Sequence, residues 1–395
     1  MKPLDGIKVL DLSRILAGPY CSMLLADMGA EVIKVERPVQ GDDSRAFGPP
    51  FVEKESTYFM SVNRNKKSIT LNFKNPRALE IVKKLIQNSD VLIENFRPGY
   101  MESIGLGFDE VHKLNSKLIY ASISGFGHTG PMASNPGYDL AVQGMSGIMD
   151  ITGSPDGPPF KVGTSIADIL AGIYANQGIL LALISRGKTG KGQKIDVALL
   201  DGMVSLLTYQ AGSFFATGKA PSRKGNQHPS ICPYETFRTR DGWLNLAVGN
   251  DKLWLEFCDL LELQNEKENS KFATNGERVK NRSELLKILE PIFEKKSTED
   301  WGKLFDEKGI PWGPILTLDK VLTHPQVLAR EMVQELVHVK GFKVKVTGIP
   351  VKLSSTPGKI ETAPPSIGQH TEEILSKELK LSKEEIEKLR KEDVL

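Results

Sequence analysis

Two segments of this chain carry residues that could do chemistry. In GTSIADILAG (Gly163 to Gly172) a single carboxylate, Asp168, stands among small and apolar residues at the expected start of a buried helix. An unpaired carboxylate is costly in such surroundings. It is either a reactive group kept short of partners or a helix-start residue satisfied by backbone N–H donors, and residue types alone leave both readings open. In GYDLAVQGMSG (Gly137 to Gly147), Tyr138 and Asp139 form a second polar group. The third group is cationic: Arg37 follows one strand-like run, Arg64, Lys66 and Lys67 precede the next, Lys74 ends it, and Arg97 follows another. In a doubly wound sheet, Arg37, Lys74 and Arg97 would fall at the ligand-binding edge and could converge on one phosphate-bearing ligand. Solvated surface charge is the competing reading.

Other chemistries lack their residues. The six histidines make no HxH, HxxxH or HExxH arrangement, so no metal site is expected, and no GxSxG elbow is present. The turn SRILAGPY after the first strand lacks the GxGxxG that admits a dinucleotide pyrophosphate, which leaves Glu36 as a surface residue at a strand end. Cys21, Cys232 and Cys258 are far apart and outside any metal spacing, and read as small buried residues in a reducing compartment. Lys and Arg number 51 against 49 Asp and Glu, a net charge of +2, so no field for nucleic acid or an anionic membrane is present. The N-terminus MKPLDGIKVLDLS enters a strand at once, without the apolar core of a signal peptide, and a cytoplasmic protein is expected.

The elements that must hold these groups follow from periodicity. With 395 residues, 40% of them hydrophobic and 25% charged, the chain is a folded one and too long for a single core, so two domains are expected. IKVLDLS, EVIKVE, SITLNF, DVLIENF and KLIYASISGFG read as strands. Between them lie helical stretches from Gly18 to Met28, in PRALEIVKKLIQNS and from Phe108 to Leu114. This alternation predicts an α/β fold with a parallel, Rossmann-like sheet. The run IADILAGIYANQGILLALI (166–184) approaches membrane-spanning length, but Asp168, Asn176 and Gln177 interrupt it, and it reads as a buried helix.

The expected divisions are a large domain beginning with residues 1–210, a linker at 211–230, a small α+β domain at 231–330, and a return at 331–395. In the small domain PYETFRTR and WLNLAVGN are joined by a two-residue Asp241-Gly242 hairpin. Helical patterns follow in KLWLEFCDLLEL, ERVKNRSELLKILEPIFEKK and TEDWGKLFDEKG, with Thr298 and Asp300 placed for capping.

Taken in order, PLDGIKVLDLSR, AGPYCSMLLADMGAEVIKVERP, NRNKKSITLNFK, DVLIENFRPG, GYDLAVQGMSG, ADILAGIYA, KTGKGQKIDVALLD, GIPWGPI and GQHTEEIL resemble family III CoA-transferases, the formyl-CoA and carnitine CoA-transferase family. The resemblance implies an interlocked homodimer, with a large domain built from both chain ends and a small domain between. It places the catalytic aspartate at Asp168 and CoA contacts at Arg14, Ile15, Ala17, Arg37, Leu71, Lys74, Asn95, Phe96 and Ser103, to which the sheet-edge position adds Arg97. Leu16, Tyr138 and Asp139 fall in the acyl pocket. It implies no tightly bound cofactor, with CoA thioesters and a free carboxylic acid as substrates.

GDDSRAFGPPF and ESTYFMSVNRNKKSI are most similar to the succinyl-CoA:dicarboxylate branch, where Arg14 or Arg45 would take a distal carboxylate. KGNQHPS (Lys224 to Ser230) stands where relatives carry a glycine-rich lid. Two other functions share the motifs. A 2-methylacyl-CoA racemase would need histidine where Tyr138 stands, and tyrosine is a poor base near neutral pH. A non-catalytic CoA-binding protein would not use Asp168 at all.

Overall fold

The computed structural model describes residues 1–395. Six strands form one parallel sheet: β1 (Lys8–Asp11), β2 (Glu31–Glu36), β3 (Lys66–Thr70), β4 (Val91–Glu94), β5 (Ile119–Ser124) and β6 (Lys194–Ala198). Their order is β3-β2-β1-β4-β5-β6. The register sets Val9 opposite Val32 and Val91, and Leu10 opposite Ile33 and Leu92. Because side chains alternate along a strand, Leu10, Leu92 and Tyr120 enter one core, while Val9, Val91 and Ile119 enter another on the opposite face. A sheet buried on both faces needs helices on both.

Against one face lie α1 (Ala17–Asp27), α5 (Ile166–Thr189) and α6 (Leu199–Ser205), with α4 (Asp139–Met145) beside them. Against the other lie α2 (Pro76–Gln87), α3 (Phe108–Leu114) and the C-terminal α7 (Thr371–Leu379) and α8 (Lys383–Lys391). The two chain ends are tied through the backbone, since the Ser68 N–H donates to His370 Nδ1, the His370 N–H to the Ser68 carbonyl, and the Asn72 N–H to the Val394 carbonyl. The protein is thus a mixed α/β fold around a parallel central sheet.

Residues 1–148, 161–212 and 325–395 form one compact unit, and 149–160 with 213–324 form the other. Residues 149–160 lie inside the first domain as the sequence divides it, yet they fold with the second unit. There the Gly225 N–H donates to the Gly153 carbonyl and Arg223 pairs with Asp150 at 3.2 Å. The second unit holds a three-stranded antiparallel sheet and a core rich in aromatic rings, among them Trp254, Phe257, Phe293, Trp301 and Phe305.

Local expectations shift in this unit and beyond. Arg238 pairs with Trp243, so the hairpin loop is four residues, closed by the Thr239 hydroxyl accepting from the Gly242 N–H, rather than two. Ser297, not Thr298, caps the helix Thr298–Lys308. The long helical run breaks at Asn281 into Asn275–Lys280 and Arg282–Phe293. The returning strands Val333–Val337 and Lys343–Thr347 pair only with each other and do not extend the central sheet.

The expectation of a buried α5 holds for one face only. Ala167, Ala171, Ala175, Ile179 and Ala182 are buried, whereas Ile173, Leu180, Leu181 and Ile184 are exposed in the single chain. By length and composition alone this helix could cross a membrane.

Candidate active site

Close backbone contacts bring Asp168 to the carboxyl edge of the sheet. A Cβ on Gly172 would come within 2.7 Å of the Ala17 carbonyl, so only glycine lets α5 cross this near the start of α1. Likewise a Cβ on Gly125 would stand 2.5 Å from Gly137 Cα, so the end of β5 and the approach to α4 press together. Between these contacts is a cavity of about 90 Å³ lined by Asp168 with Ala17, Asn95, Ser124, Gly137 and Leu199, among others.

Asp168 occupies the first turn of α5, where the helix dipole favours an anion. Burial outweighs that and, with the nearby Asp139 carboxylate, pushes the Asp168 carboxyl up to about 7. The donor that a helix-start reading would give Asp168 goes elsewhere. The Ala167 N–H donates to Asp139 Oδ1 at 2.9 Å, so Asp139, reaching from α4, caps the helix. Burial also pushes the Tyr58 phenol up, and the Asp168 charge adds to this.

A second and larger cavity, about 590 Å³, opens beside the first along the edges of β1, β2, β3 and β4. Arg14, Arg37, Leu71, Lys74, Phe96 and Arg97 line it. Phe96 and Arg97 line both cavities, so a long ligand could reach from one to the other. Asp43 bridges two of the cations, accepting from Arg14 at 2.9 Å and from Arg37. Arg14 also lies 5.5 Å from the centre of the Phe96 ring.

Ala17 and Asn95 line the small cavity instead, and the Asn95 carboxamide is spent on the Arg14 backbone, accepting from its N–H at 2.8 Å and donating to its carbonyl at 2.7 Å. Ile15, Ser103, Leu16, Tyr138 and Asp139 line neither. Ile15 sits at φ 70° with its N–H on Asp42, and the Ser103 hydroxyl bonds the Tyr100 carbonyl. Leu16 is buried with Met23 and Val62. Tyr138 points into solvent, 70% exposed.

Beneath the cleft the charges are paired. Lys34 and Asp42, both buried, meet at 2.8 Å, and Lys34 also donates to the Ser13 carbonyl. Burial alone would raise the Asp42 carboxyl, but Lys34 and the Ser44 donors hold it well below the usual range. Glu36 is a buried member of this network rather than the surface residue expected, accepting from Arg45, the Asp42 N–H and the Ser68 hydroxyl. Arg45 is thereby removed as a cation for a distal carboxylate: Glu36 grips it on two nitrogens and it stacks 3.6 Å over Phe59. Arg64 and Lys66 are likewise buried, paired with Asp27 and Asp11.

Tyr58, Asp43, Lys34 and Gln143 were missed as individual residues from sequence. Tyr58 and Asp43 do lie inside the GDDSRAFGPPF and ESTYF segments.

The sequence model of CoA-transferase family III matches residues 4–371. The succinyl-CoA:glutarate CoA-transferase of Mus musculus is 45% identical over 98% of this chain and 89% of its own length. The succinate–glutarate CoA-transferase of Agrobacterium fabrum is 42% identical over 95% of each. Among solved structures, a CaiB/BaiF family protein from Brucella suis superposes with a TM-score of 0.86 at 42% identity, covering 95% of this chain and 99% of that one. With its parallel sheet, its two adjacent cavities and matches over nearly its full length, this chain belongs to CoA-transferase family III.

Proposed function

We propose that this acyl-CoA:carboxylate CoA-transferase takes CoA from succinyl-CoA and passes it to a dicarboxylic acid of the glutarate class, with Asp168 as the covalent carrier. The setting of Asp168 carries the reading: a carboxylate pushed up to about 7 beside a second carboxylate is more basic than an ordinary aspartate and is a better nucleophile once ionised. The donor and acceptor are taken from the relatives' activities.

In the first step an Asp168 oxygen attacks the donor thioester carbonyl, the C–S bond breaks, and CoA thiolate leaves behind a mixed anhydride. The thiolate then attacks Asp168 Cγ, breaking its bond to the bridging oxygen; the donor acid departs and an aspartyl-CoA thioester remains. The acceptor carboxylate attacks Cγ in turn, expelling thiolate and forming a second anhydride. Finally the thiolate takes the acceptor's acyl carbon and restores the carboxylate. Each step exchanges one bond at an acyl carbon, so protons and electrons balance without a metal or redox cofactor.

The larger cavity suits the nucleotide and pantetheine arms of CoA, with Arg37, Lys74 and Arg97 toward its phosphates and Phe96 and Leu71 as apolar wall. Arg14, with its head 46% exposed, is the remaining cation for a distal carboxylate. No histidine lines the small cavity, which disfavours racemisation there.

The exposed apolar face of α5, with Val204 and Leu206 beside it, supports a homodimer. A monomer in sedimentation would remove that part of the reading. The three cysteines are buried free thiols, in keeping with a cytoplasmic setting. Incubation with succinyl-CoA and a panel of mono- and dicarboxylic acids, read by mass spectrometry of the CoA esters, tests the function. New esters of glutarate-length diacids are expected; no exchange with any acid would sink the proposal.

A further inference from the structure

Gln143 lies on α4, is fully buried, and does not line the cavity that holds Asp168. Both ends of its carboxamide are nevertheless committed to the approach to Asp168. Gln143 Nε2 donates to Asp139 Oδ2 at 2.7 Å and points toward the Thr164 carbonyl at 3.4 Å. Gln143 Oε1 accepts from the Val162 N–H at 2.9 Å. Asp139 in turn spends its other oxygen on the Ala167 N–H, one residue before Asp168. Ser165, at the helix N-cap position, makes no side-chain cap of its own. The helix start is therefore fixed from outside.

We propose that Gln143 is a positioning residue for the transfer reaction, which clamps Asp139 and the 162–164 segment so that α5 begins at the residue that aims Asp168 into its cavity. This rests on Asp168 as the carrier. The second consequence is electrostatic. A carboxamide donor on Oδ2 keeps the Asp139 charge fixed in place beside Asp168. The groups facing Asp168 are Asp139 from α4 and the Tyr58 phenol, whose own partner is Ser165. Only Asp139 is oriented by Gln143.

The test separates hydrogen-bond donation from packing. Gln143→Glu keeps the shape and the acceptor for the Val162 N–H but puts a carboxyl where the donor to Asp139 stood, so donation is lost, and a like charge gained, once that carboxyl ionises. Gln143→Met keeps the volume and removes both bonds.

We expect Gln143→Glu to lower kcat at pH 7 at least tenfold, to leave KM for the acyl-CoA donor within twofold, and to lose less rate at pH 9. The Asp168 carboxyl carbon, followed by NMR of 13C-carboxyl-aspartate protein and assigned with Asp168→Asn, should titrate about one pH unit higher than in the wild type. Gln143→Met should show the kcat loss without that upward shift. A Gln143→Glu protein with wild-type kcat and an unmoved Asp168 titration would overturn the proposal. So would equal behaviour of the two variants, which packing alone predicts. The NMR midpoint needs no turnover, so a wild-type protein inactive with every acid would refute the carrier reading while the Gln143 titration result still stands or falls by itself.

Discussion

Asp42 and Asp168 are two carboxylates of the same unit in opposite environments. Asp42 is buried and saturated: Lys34, the Ile15 N–H, and the Ser44 N–H and hydroxyl all reach it. Asp168 faces the like charge of Asp139 and the Tyr58 phenol, and the donor next to it in the chain is taken by that same Asp139. Burial pushes both carboxyls up, and the neighbours decide the outcome: the Lys34 charge and the Ser44 donors bring Asp42 down, while the Asp139 charge sends Asp168 further up. A saturated carboxylate is scaffold, and here it holds the strained Ile15 turn at the lip of the cleft. A starved one retains its basicity for chemistry.

The contrast breaks most sharply at Asp168 itself. Asp168→Asn keeps shape and hydrogen-bonding size but cannot form an anhydride, so turnover should fall about 10⁴-fold or more while the circular dichroism spectrum is unchanged. Retained exchange would return Asp168 to a helix-start role. At Asp42 the corresponding blow falls on stability. Lys34→Met strands a buried charge, and urea unfolding should show a loss of about 3–5 kcal/mol; a change under 1 kcal/mol would mean that the pair is not the scaffold described here.

The smallest effect is the difference in pH slope. The Asp168 carboxyl in the folded chain sits near 7 against an ordinary 3.8, so its contribution to stability is fully present below pH 4 and is lost as pH rises through 7. Asp168→Asn should therefore stabilise the protein by roughly 2 kcal/mol at pH 8 and by nothing at pH 4. Asp42 has the opposite sign, since its folded carboxyl lies below 3.8 and its contribution is lost only as pH falls below that value. Thermal melts from pH 4 to 8 distinguish the two. With the wild type, kcat/KM should also fall about tenfold per pH unit below about 7.

Much of this was readable in advance for physical reasons. Strands buried on both faces leave runs such as IKVLDL and EVIKVE, and β2 spans the whole of that second run. Pro76 behind Asn75 marks the start of α2, where the Asn75 side chain accepts from the Arg77 N–H. What periodicity misses is whatever a distant segment supplies. Glu36 looked like a strand-end surface residue because nothing nearby in the chain shows that Arg45 and Ser68 close over it. The cations at the start of β3 looked alike, yet Arg64 and Lys66 are buried against Asp27 and Asp11 whereas Lys67 is half-buried with Glu31 and Glu373.

The sequence by itself determined the parallel α/β framework, the order of its motifs and the position of one carboxylate in an apolar helix start, because side-chain periodicity and local composition are properties of the chain. Only the tertiary structure decided which carboxylate is starved of donors. That depends on Asp139 arriving from α4 to take the Ala167 N–H, and on the glycine contacts at 172 and at 125 with 137 that let those elements approach. The charge state of a buried group is set by neighbours in space, and sequence spacing does not contain them.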